Sequence, residues 1–209
     1  MRITEIAKDK GKCYTITLED GCHFRIHADL LQDAALHIGD DCPPEKLAEI
    51  RHRAAEHRAY EYGLYLLENR SYSYREMYDK LTAAPETEEE AVLTALEKLT
   101  RYGFLNDARY AEQLARHYVE GKKYGLRRAQ FEMQHKGLAQ EDIENALAEY
   151  DEPEKISAML LELLDKKYAR QLHDPDDRKA IEKVTAALMR RGFRYQDIRY
   201  AIEDYFSAI

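Results

Sequence analysis

The sequence predicts a mainly α-helical protein made of three tandem three-helix repeats in an elongated curved array, with a small N-terminal β-hairpin or sheet extension. Three observations predict this fold class. A pattern near the middle of the chain returns near its end at one constant offset, apolar residues recur at helical spacing after residue 45, and strand-like alternation is confined to residues 1–28. Small tandem units bury their apolar faces against neighbours, which is why they stack into arrays.

The repeated pattern combines a helix stop with the start of the next helix. Its two copies run from Lys136 to Leu147 and from Arg191 to Ile202. We expect Gly137 and Gly192 to end a helix in the left-handed conformation, and Leu138 and Phe193 to make the apolar contact of a Schellman end. The first unit has Thr82-Ala83-Ala84-Pro85 at this point, so its middle helix is expected to end differently.

The N-terminal segment predicts strands because apolar residues alternate on both sides of Asp20-Gly21. A two-residue loop would set Ile16 opposite Arg25, whereas a three-residue loop with a left-handed Gly21 keeps one face apolar. This second register pairs Leu18 with Cys22, Ile16 with Phe24 and Tyr14 with Ile26. A hairpin alone is marginally stable, so Ile3 and Ile6 are expected to supply a third strand.

The first three-helix unit follows a short helix over 29–37 and a break at 38–44. Its long helix, 45–69, carries an apolar stripe of Ala55, Ala59, Tyr62 and Leu66. Capping boxes predict the starts of the next two helices, at Ser73 with Glu76 and at Thr87 with Glu90.

The remaining helices group into two further units. Asn106 is a predicted N-cap, Gly121 and Gly125 bracket a loop, and Asp174-Pro175 predicts another helix start. The predicted organisation is an N-terminal β-rich extension, 1–42, and three-helix repeats over 43–105, 106–150 and 151–209.

Bulk composition excludes several classes of function. A net charge of −8 and a pI near 5.6 argue against sequence-independent nucleic-acid binding, which depends on Lys and Arg neutralising phosphates. No apolar run reaches the length of a membrane span and no signal peptide is evident, so we expect a cytoplasmic protein. Cys13, Cys22 and Cys42 lack disulfide or zinc spacing, and we expect them to be reduced and partly buried.

Catalytic patterns are lacking in the sequence. The eight histidines are scattered, and no Gly-rich phosphate loop or nucleophile motif occurs. The acidic run that includes Glu86, Glu88, Glu89 and Glu90 is typical of a helix N-terminus, where negative charge is favourable, more than of a metal site. The sequence therefore predicts a protein without enzymatic activity, cofactor or bound metal.

Basic residues are concentrated in two places in this acidic chain. The segment from Arg101 to Lys136 contains eight basic and four acidic residues, and a second group of basic residues lies near the C-terminus. Two interpretations are open: solvated helix faces with dipole partners, or a basic face that meets an acidic surface or DNA phosphates. On the second, the predicted partner-binding residues are Lys122, Lys123, Arg127, Arg128, Lys136, Arg190, Arg191 and Arg194. Tyr72 and Tyr74 are added because they lie at the start of a helix among many tyrosines.

The repeats and two motifs resemble the RecX family of recombination regulators. The motifs are Tyr102-Gly103-Phe104-Leu105-Asn106-Asp107 and Arg190-Arg191-Gly192-Phe193. The resemblance covers about residues 43–209, and the N-terminal strands resemble the extension of longer family members. The resemblance implies a non-enzymatic regulator of RecA. Such a protein is expected to be a monomer that binds RecA and its single-stranded DNA filament and restrains filament growth, with weak direct DNA contact at most.

The competing interpretation is a DNA-binding protein of helix-turn-helix type, because short three-helix units also build recognition helices. It predicts direct duplex binding that weakens steeply with salt. A general interaction scaffold is the third possibility.

Overall fold

The computed structural model describes residues 1–85 and 87–207. The chain divides into two compact units, the first ending at Leu105 and the second beginning at Asn106. The structure confirms the predicted fold class in its mainly helical content and its N-terminal sheet. Among the described residues, none of the helices combines the length and apolar character that a membrane span requires.

The first unit begins with an antiparallel sheet in the order β1-β2-β3. The strands are β1 (Ile3–Lys8), β2 (Cys13–Leu18) and β3 (His23–His27). The predicted three-residue loop is confirmed: Ile16 pairs with Phe24, and the Leu18 amide donates to the Cys22 carbonyl at 2.8 Å. Gly21 has a φ of +84°, the left-handed conformation that the bulged turn requires.

The sheet buries one face against the start of a long helix. A short helix, α1 (Ala28–Asp33), ends earlier than residue 37, where the sequence placed it. Helix α2 (Pro44–Asn69) contributes Leu47, Ile50 and Ala54 to the core that covers Ile16 and Ile26. This core also holds Cys42, but Cys22 is exposed, so the expectation of partial burial was wrong for that cysteine.

The second half of α2 packs with α3 (Tyr74–Thr82) and α4 (Glu89–Arg101). Gly63 permits the close approach of α2 and α4, because a Cβ there would lie 2.7 Å from Leu99 Cδ1. The buried residues of this core include Ala59, Met77, Leu81, Val92, Ala95, Leu96 and Leu99. Tyr62 is 38% exposed, so it is not the core residue that its place in the apolar stripe predicted.

One of the two predicted capping boxes is present. At α3 the Glu76 amide donates to Ser73 Oγ at 3.0 Å, and the Glu76 carboxylate accepts from the Ser73 amide at 3.4 Å. The Thr87 prediction was wrong, because α4 follows Glu88 as N-cap and the Thr87 hydroxyl instead donates to the Ala84 carbonyl. Glu86 of the predicted acidic run lies outside the described residues.

The second unit contains two further groups of helices. They are α5 (Asp107–Arg116), α6 (Leu126–His135) and α7 (Gln140–Ala148), then α8 (Pro153–Leu163), α9 (Arg178–Arg190) and α10 (Tyr195–Ser207). Helices α5 and α8 each continue into a π-helical segment, His117–Gly121 and Leu164–Tyr168 respectively. Each group has its own apolar core, and Leu126 and Met159 pack against both cores.

The helix ends of the second unit follow the predicted repeat in most details. Gly137 and Gly192 have φ values of +76° and +94°, and Phe193 is buried after Gly192. The Phe193 amide donates to the Leu188 carbonyl at 3.3 Å and the Gly192 amide to the Met189 carbonyl at 2.9 Å, which is the bonding of a Schellman end. Asn106 caps α5 as predicted.

The predicted helix start at Asp174-Pro175 was wrong. Helix α9 begins at Arg178, after Asp177, whose side chain accepts from the amides of Lys179 and Ala180 at 3.1 Å. A second aspartate a few residues downstream therefore caps the helix. The preference of aspartate for this position identifies the residue type but does not decide between nearby candidates.

We predict that Ser73→Ala destabilises the protein by about 1 kcal/mol, because the α3 capping box loses its hydroxyl acceptor. Urea unfolding followed by circular dichroism measures the change. Thr94→Ala is the control, since Thr94 lies inside α4 and its hydroxyl only donates to the Glu90 carbonyl. Equal destabilisation by both substitutions would contradict the assigned role of Ser73.

Candidate functional site

A direct backbone contact between two glycines organises the second unit. Gly125 immediately precedes α6, and Gly192 follows Arg191, the C-cap residue of α9. The Gly125 amide donates to the Arg191 carbonyl at 2.8 Å. A Cβ on Gly125 would lie 2.4 Å from the Gly192 carbonyl carbon, and one on Gly192 would lie 2.4 Å from the Arg128 amide nitrogen. Only residues without a side chain permit this approach.

Arg191 adds a second tie across the same contact. Its Nη1 donates to the backbone carbonyls of Lys122 and Lys123, at 3.1 and 3.3 Å. Lys123 itself has a φ of +54°, which is uncommon for a residue with a side chain. The guanidinium thus satisfies carbonyls in the loop that carries this strained residue. Arg191 is therefore half-buried and structural, in addition to being a cation of the site.

The glycine contact brings together seven of the basic residues that the sequence selected. They are Lys122, Lys123, Arg127 and Arg128 beside Gly125, and Arg190, Arg191 and Arg194 beside Gly192. Each lies within three residues of one of the touching glycines. We call these seven residues the basic junction. Two groups that are far apart in the sequence therefore form one surface region.

Three cations of the basic junction have carboxylate partners. Lys123 Nζ lies 2.9 Å from Glu162, and Arg194 Nη2 lies 3.5 Å from Asp151. Arg128 pairs with Glu132 one turn along α6. These carboxylates offset part of the positive charge and hold the side chains in place.

Three other cations of the basic junction are exposed and have no carboxylate partner among the described residues. Lys122, Arg127 and Arg190 form no ion pair with any residue in the described ranges 1–85 and 87–207. An exposed cation without a carboxylate partner keeps its charge available for an external anion. Lys122, Arg127 and Arg190 are consequently the members of the basic junction best suited to meet a phosphate or an acidic protein surface.

Aromatic residues accompany the basic junction, and the sequence interpretation missed them. The rings of Tyr118 and Tyr124 stack with centroids 6.0 Å apart, and Lys122 Nζ lies 5.3 Å from the Tyr118 ring. Arg128 lies over both Tyr124 and Phe131, and Phe131 is 48% exposed. The spacing of Arg128 and Phe131 on one face of a helix was the signal that could have identified this pair.

The other predicted site residues lie apart from the basic junction. Lys136 is half-buried at the C-cap of α6. Tyr74 is 40% exposed at the first residue of α3. Tyr72 is 8% exposed, with the Arg70 guanidinium 3.6 Å from its ring centre. Its ring belongs to the core and is covered by Arg70, so the predicted contact of Tyr72 with a partner stays a prediction, with little exposed surface to support it.

Electrostatics around the basic junction centre on Glu162. Hydrogen bonds from Lys166 and Lys123, together with their charges, lower the pKa of this carboxyl from 4.5 to about 2. Lys166 Nζ lies 2.9 Å from the carboxylate. Elsewhere, burial and a 2.8 Å hydrogen bond to Glu120 raise the pKa of Tyr150.

The chemistry of the basic junction is that of recognition. Its donors are guanidinium and ammonium groups, which bind carboxylates and phosphates, and its aromatic rings offer stacking surfaces. Within the described part of the chain, no cluster of three or more His, Cys, Asp or Glu residues could hold a metal ion. The arrangement can therefore hold an anionic partner at a defined spacing.

We predict that Gly125→Ala destabilises the protein by about 3 kcal/mol or more, because the added Cβ meets backbone atoms of Gly192 and Phe193 that cannot rotate away. Thermal and urea unfolding measure the change. Gly121→Ala is the matched control, since the nearest atom to its Cβ would be 3.9 Å away. A stability of Gly125→Ala equal to that of the control would show that the glycine contact is absent.

We predict that Glu162 titrates near pH 2 and that Lys166→Met raises its pKa toward 4.5. Because the folded-state pKa is lowered, the stabilisation that it reflects is complete above about pH 4.5 and is lost as the pH falls through about 2. Carboxyl-carbon NMR measures the titration. Lys167→Met, which alters the neighbouring lysine, should leave the midpoint unchanged, and an ordinary midpoint in the wild type would contradict the assignment.

Two family models match this chain. The second three-helix domain of RecX matches residues 106–147, and the third matches residues 154–202. The matched segments contain the basic junction and both touching glycines.

Similar proteins and solved structures agree with these matches. Regulatory protein RecX of Vibrio vulnificus is 30% identical over 142 residues, which are 68% of this chain and 89% of that protein. Regulatory protein RecX of Enterococcus faecalis is 28% identical over 206 residues, which cover 96% of this chain and 74% of the relative.

A crystal structure of regulatory protein RecX superposes with a TM-score of 0.72 at 25% identity, covering 97% of this chain and 98% of the other. The structure of RecX from Lactobacillus salivarius shares the fold with a TM-score of 0.67 at 24% identity, over 74% of this chain and 98% of that one. The chain belongs to the RecX family of regulatory proteins.

Proposed function

We propose that the protein binds RecA and the RecA–single-stranded DNA filament, and that it restrains filament extension, ATP hydrolysis and recombination. Family membership supports a regulatory role, since the relatives are named regulatory proteins. The observation that carries the proposal in this chain is the basic junction. It offers a basic surface in a protein of net charge −8, and its position is fixed by backbone contact.

The charge distribution favours a specific partner over free DNA. General affinity for nucleic acid needs many phosphate contacts and an overall basic protein. Here the exposed, unpaired cations Lys122, Arg127 and Arg190 lie at one region of an acidic chain. A few fixed cations set orientation and register more than affinity. A nucleoprotein filament, which combines protein surface with DNA phosphates, suits such a site, while direct contact with DNA alone is weak.

The proposed mode of action is binding without catalysis. The three-helix repeats, with boundaries at residues 43, 106 and 151, are proposed to contact the filament, and the N-terminal extension of residues 1–42 is proposed to add contact surface. Tandem repeats commonly provide extended binding surfaces. The protein acts as a monomer in the cytoplasm, where RecA and its DNA substrate are found, and it requires no cofactor.

We predict that the triple charge reversal Lys122→Glu, Arg127→Glu and Arg190→Glu weakens binding to the RecA filament at least about tenfold, because three attractive contacts become repulsive. The wild type should inhibit DNA-dependent ATP hydrolysis by RecA, and the variant should not at the same concentration. Circular dichroism should show unchanged helix content, since none of the three side chains forms an ion pair with the described residues.

The matched control changes the same net charge elsewhere. Lys46, Lys179 and Lys183 are exposed lysines outside the basic junction, and their reversal to Glu should leave binding and inhibition close to wild type. Equal loss in both triple variants would mean that net charge alone drives binding. Wild-type protein that neither inhibits hydrolysis nor sediments with filaments would contradict the proposed function.

The competing function, helix-turn-helix DNA binding, is favoured by one observation: the first turn of α6 carries exposed Arg127 and Arg128. It requires tight binding of bare duplex DNA with a steep loss of affinity as salt rises. Fluorescence anisotropy with a labelled duplex and no RecA separates the two functions. We expect weak duplex binding.

A further inference from the structure

A cleft of about 510 Å³ lies in the first unit, between α2 and the end of α3 with the loop that follows it. Its floor is apolar, and its volume is within the range of ligand-binding pockets. The α2 wall consists of Ala55, Arg58, Ala59 and Tyr62, at the spacing of one helix face. The facing wall includes Leu81 and Pro85. None of these residues belongs to the basic junction.

The cleft is open because small residues occupy the helix face where a core needs large ones. Ala55 and Ala59 are buried on α2 and line the cleft with small side chains. Tyr62 follows on the same face but is 38% exposed. The sequence interpretation assigned this stripe to the core. In the structure, part of it borders solvent.

Comparison with the other repeats shows which residue is missing. In α6 and α9 the second residue after the helix C-cap is apolar and buried: Leu138 is 6% exposed and Phe193 is 4% exposed. Counted from the C-cap Ala83, the corresponding residue after α3 is Pro85, and Pro85 is exposed. The first unit therefore lacks the large apolar side chain that its two counterparts insert into their own cores.

The charges at the cleft indicate the sign of an occupant. Among its described lining residues the charged ones are Arg58 and Lys80, both cations. Arg58 Nη1 donates to the Arg25 carbonyl at 3.4 Å, which ties this guanidinium to β3. Lys80 is exposed near the end of α3. An apolar floor with cations in its lining is complementary to a large apolar side chain next to a carboxylate.

We propose that this cleft receives a large aliphatic or aromatic side chain from an acidic segment of a protein partner. The partner's side chain would occupy the place that the side chains of Leu138 and Phe193 fill in the other repeats. The inference rests on the proposed function, since the partner segment is taken to lie on the protein component of the RecA filament. The cleft is then a second contact, separate from the basic junction and apolar in character.

Filling the cleft from within tests the proposal. Pro85→Leu supplies an apolar side chain at the position of Leu138, and Ala59→Leu fills the cleft from the α2 wall. Thr82→Leu adds the same side chain at an exposed position of α3 outside the lining. The probe is a RecA filament on fluorescent single-stranded DNA, and affinity is measured by anisotropy for each variant that keeps wild-type helix content.

We expect Pro85→Leu and Ala59→Leu to bind the filament at least about tenfold more weakly, because the partner's anchoring side chain can no longer enter its pocket. Thr82→Leu should bind like the wild type. Wild-type affinity in both filled variants, or in the one that folds, would overturn the cleft as a contact while leaving the proposed function intact. Failure of the wild type itself to bind would overturn the proposed function, and with it the assignment of this partner.

Discussion

The contact between Gly125 and Gly192 is the constraint on which the second unit depends. It joins the residue before α6 to the turn that ends α9, where the Gly125 amide also donates a 2.8 Å hydrogen bond to the Arg191 carbonyl. A side chain at either position would overlap backbone atoms of the other segment. Because a helix begins or ends within two residues of each glycine, the flanking cations are placed by the backbone. Their spacing therefore does not depend on flexible side chains packing together.

The same constraint explains why an acidic protein can present a local basic surface. Glu162, Glu132 and Asp151 each pair with one cation of the basic junction. Lys122, Arg127 and Arg190 stay without such partners in the described part of the chain. The surface thus combines cations that are held and partly neutralised with cations that can meet an external anion. Such a division favours orientation and specificity over general affinity for polyanions.

Local rules in the sequence predicted much of the fold and less of the site. The hairpin register, the Ser73 capping box and the left-handed Gly137 and Gly192 follow from interactions between residues close in the chain. The prediction at Thr87 failed because its hydroxyl donates to the Ala84 carbonyl instead of capping α4, and the one at Asp174 failed because a later aspartate, Asp177, caps α9. The glycine contact was not predictable, because it joins segments far apart in sequence. For the same reason the basic residues could be selected from the sequence, but their proximity in the folded protein could not be predicted.

The repeat pattern also predicted correctly that the middle helix of the first unit ends differently, but it did not predict the consequence for packing. The absence of the glycine after α3 predicted a different helix end, and the structure shows the consequence, since Pro85 stays exposed where Leu138 and Phe193 are buried. The departure of one repeat from the pattern leaves an open cleft in the first unit. The second unit keeps the pattern and uses its glycine to bring cations together. The two units therefore offer surfaces of different chemistry to a partner.

The most direct measurement is lysine footprinting of the wild-type protein with and without saturating RecA filaments. The rate of acetylation of each lysine would be followed by mass spectrometry. If the basic junction is the partner-binding surface, the exposed Lys122 should become protected, while Lys179 and Lys183, exposed on α9 outside the junction, should react at their original rates. An unchanged rate at Lys122 under conditions in which the protein is bound would contradict the account.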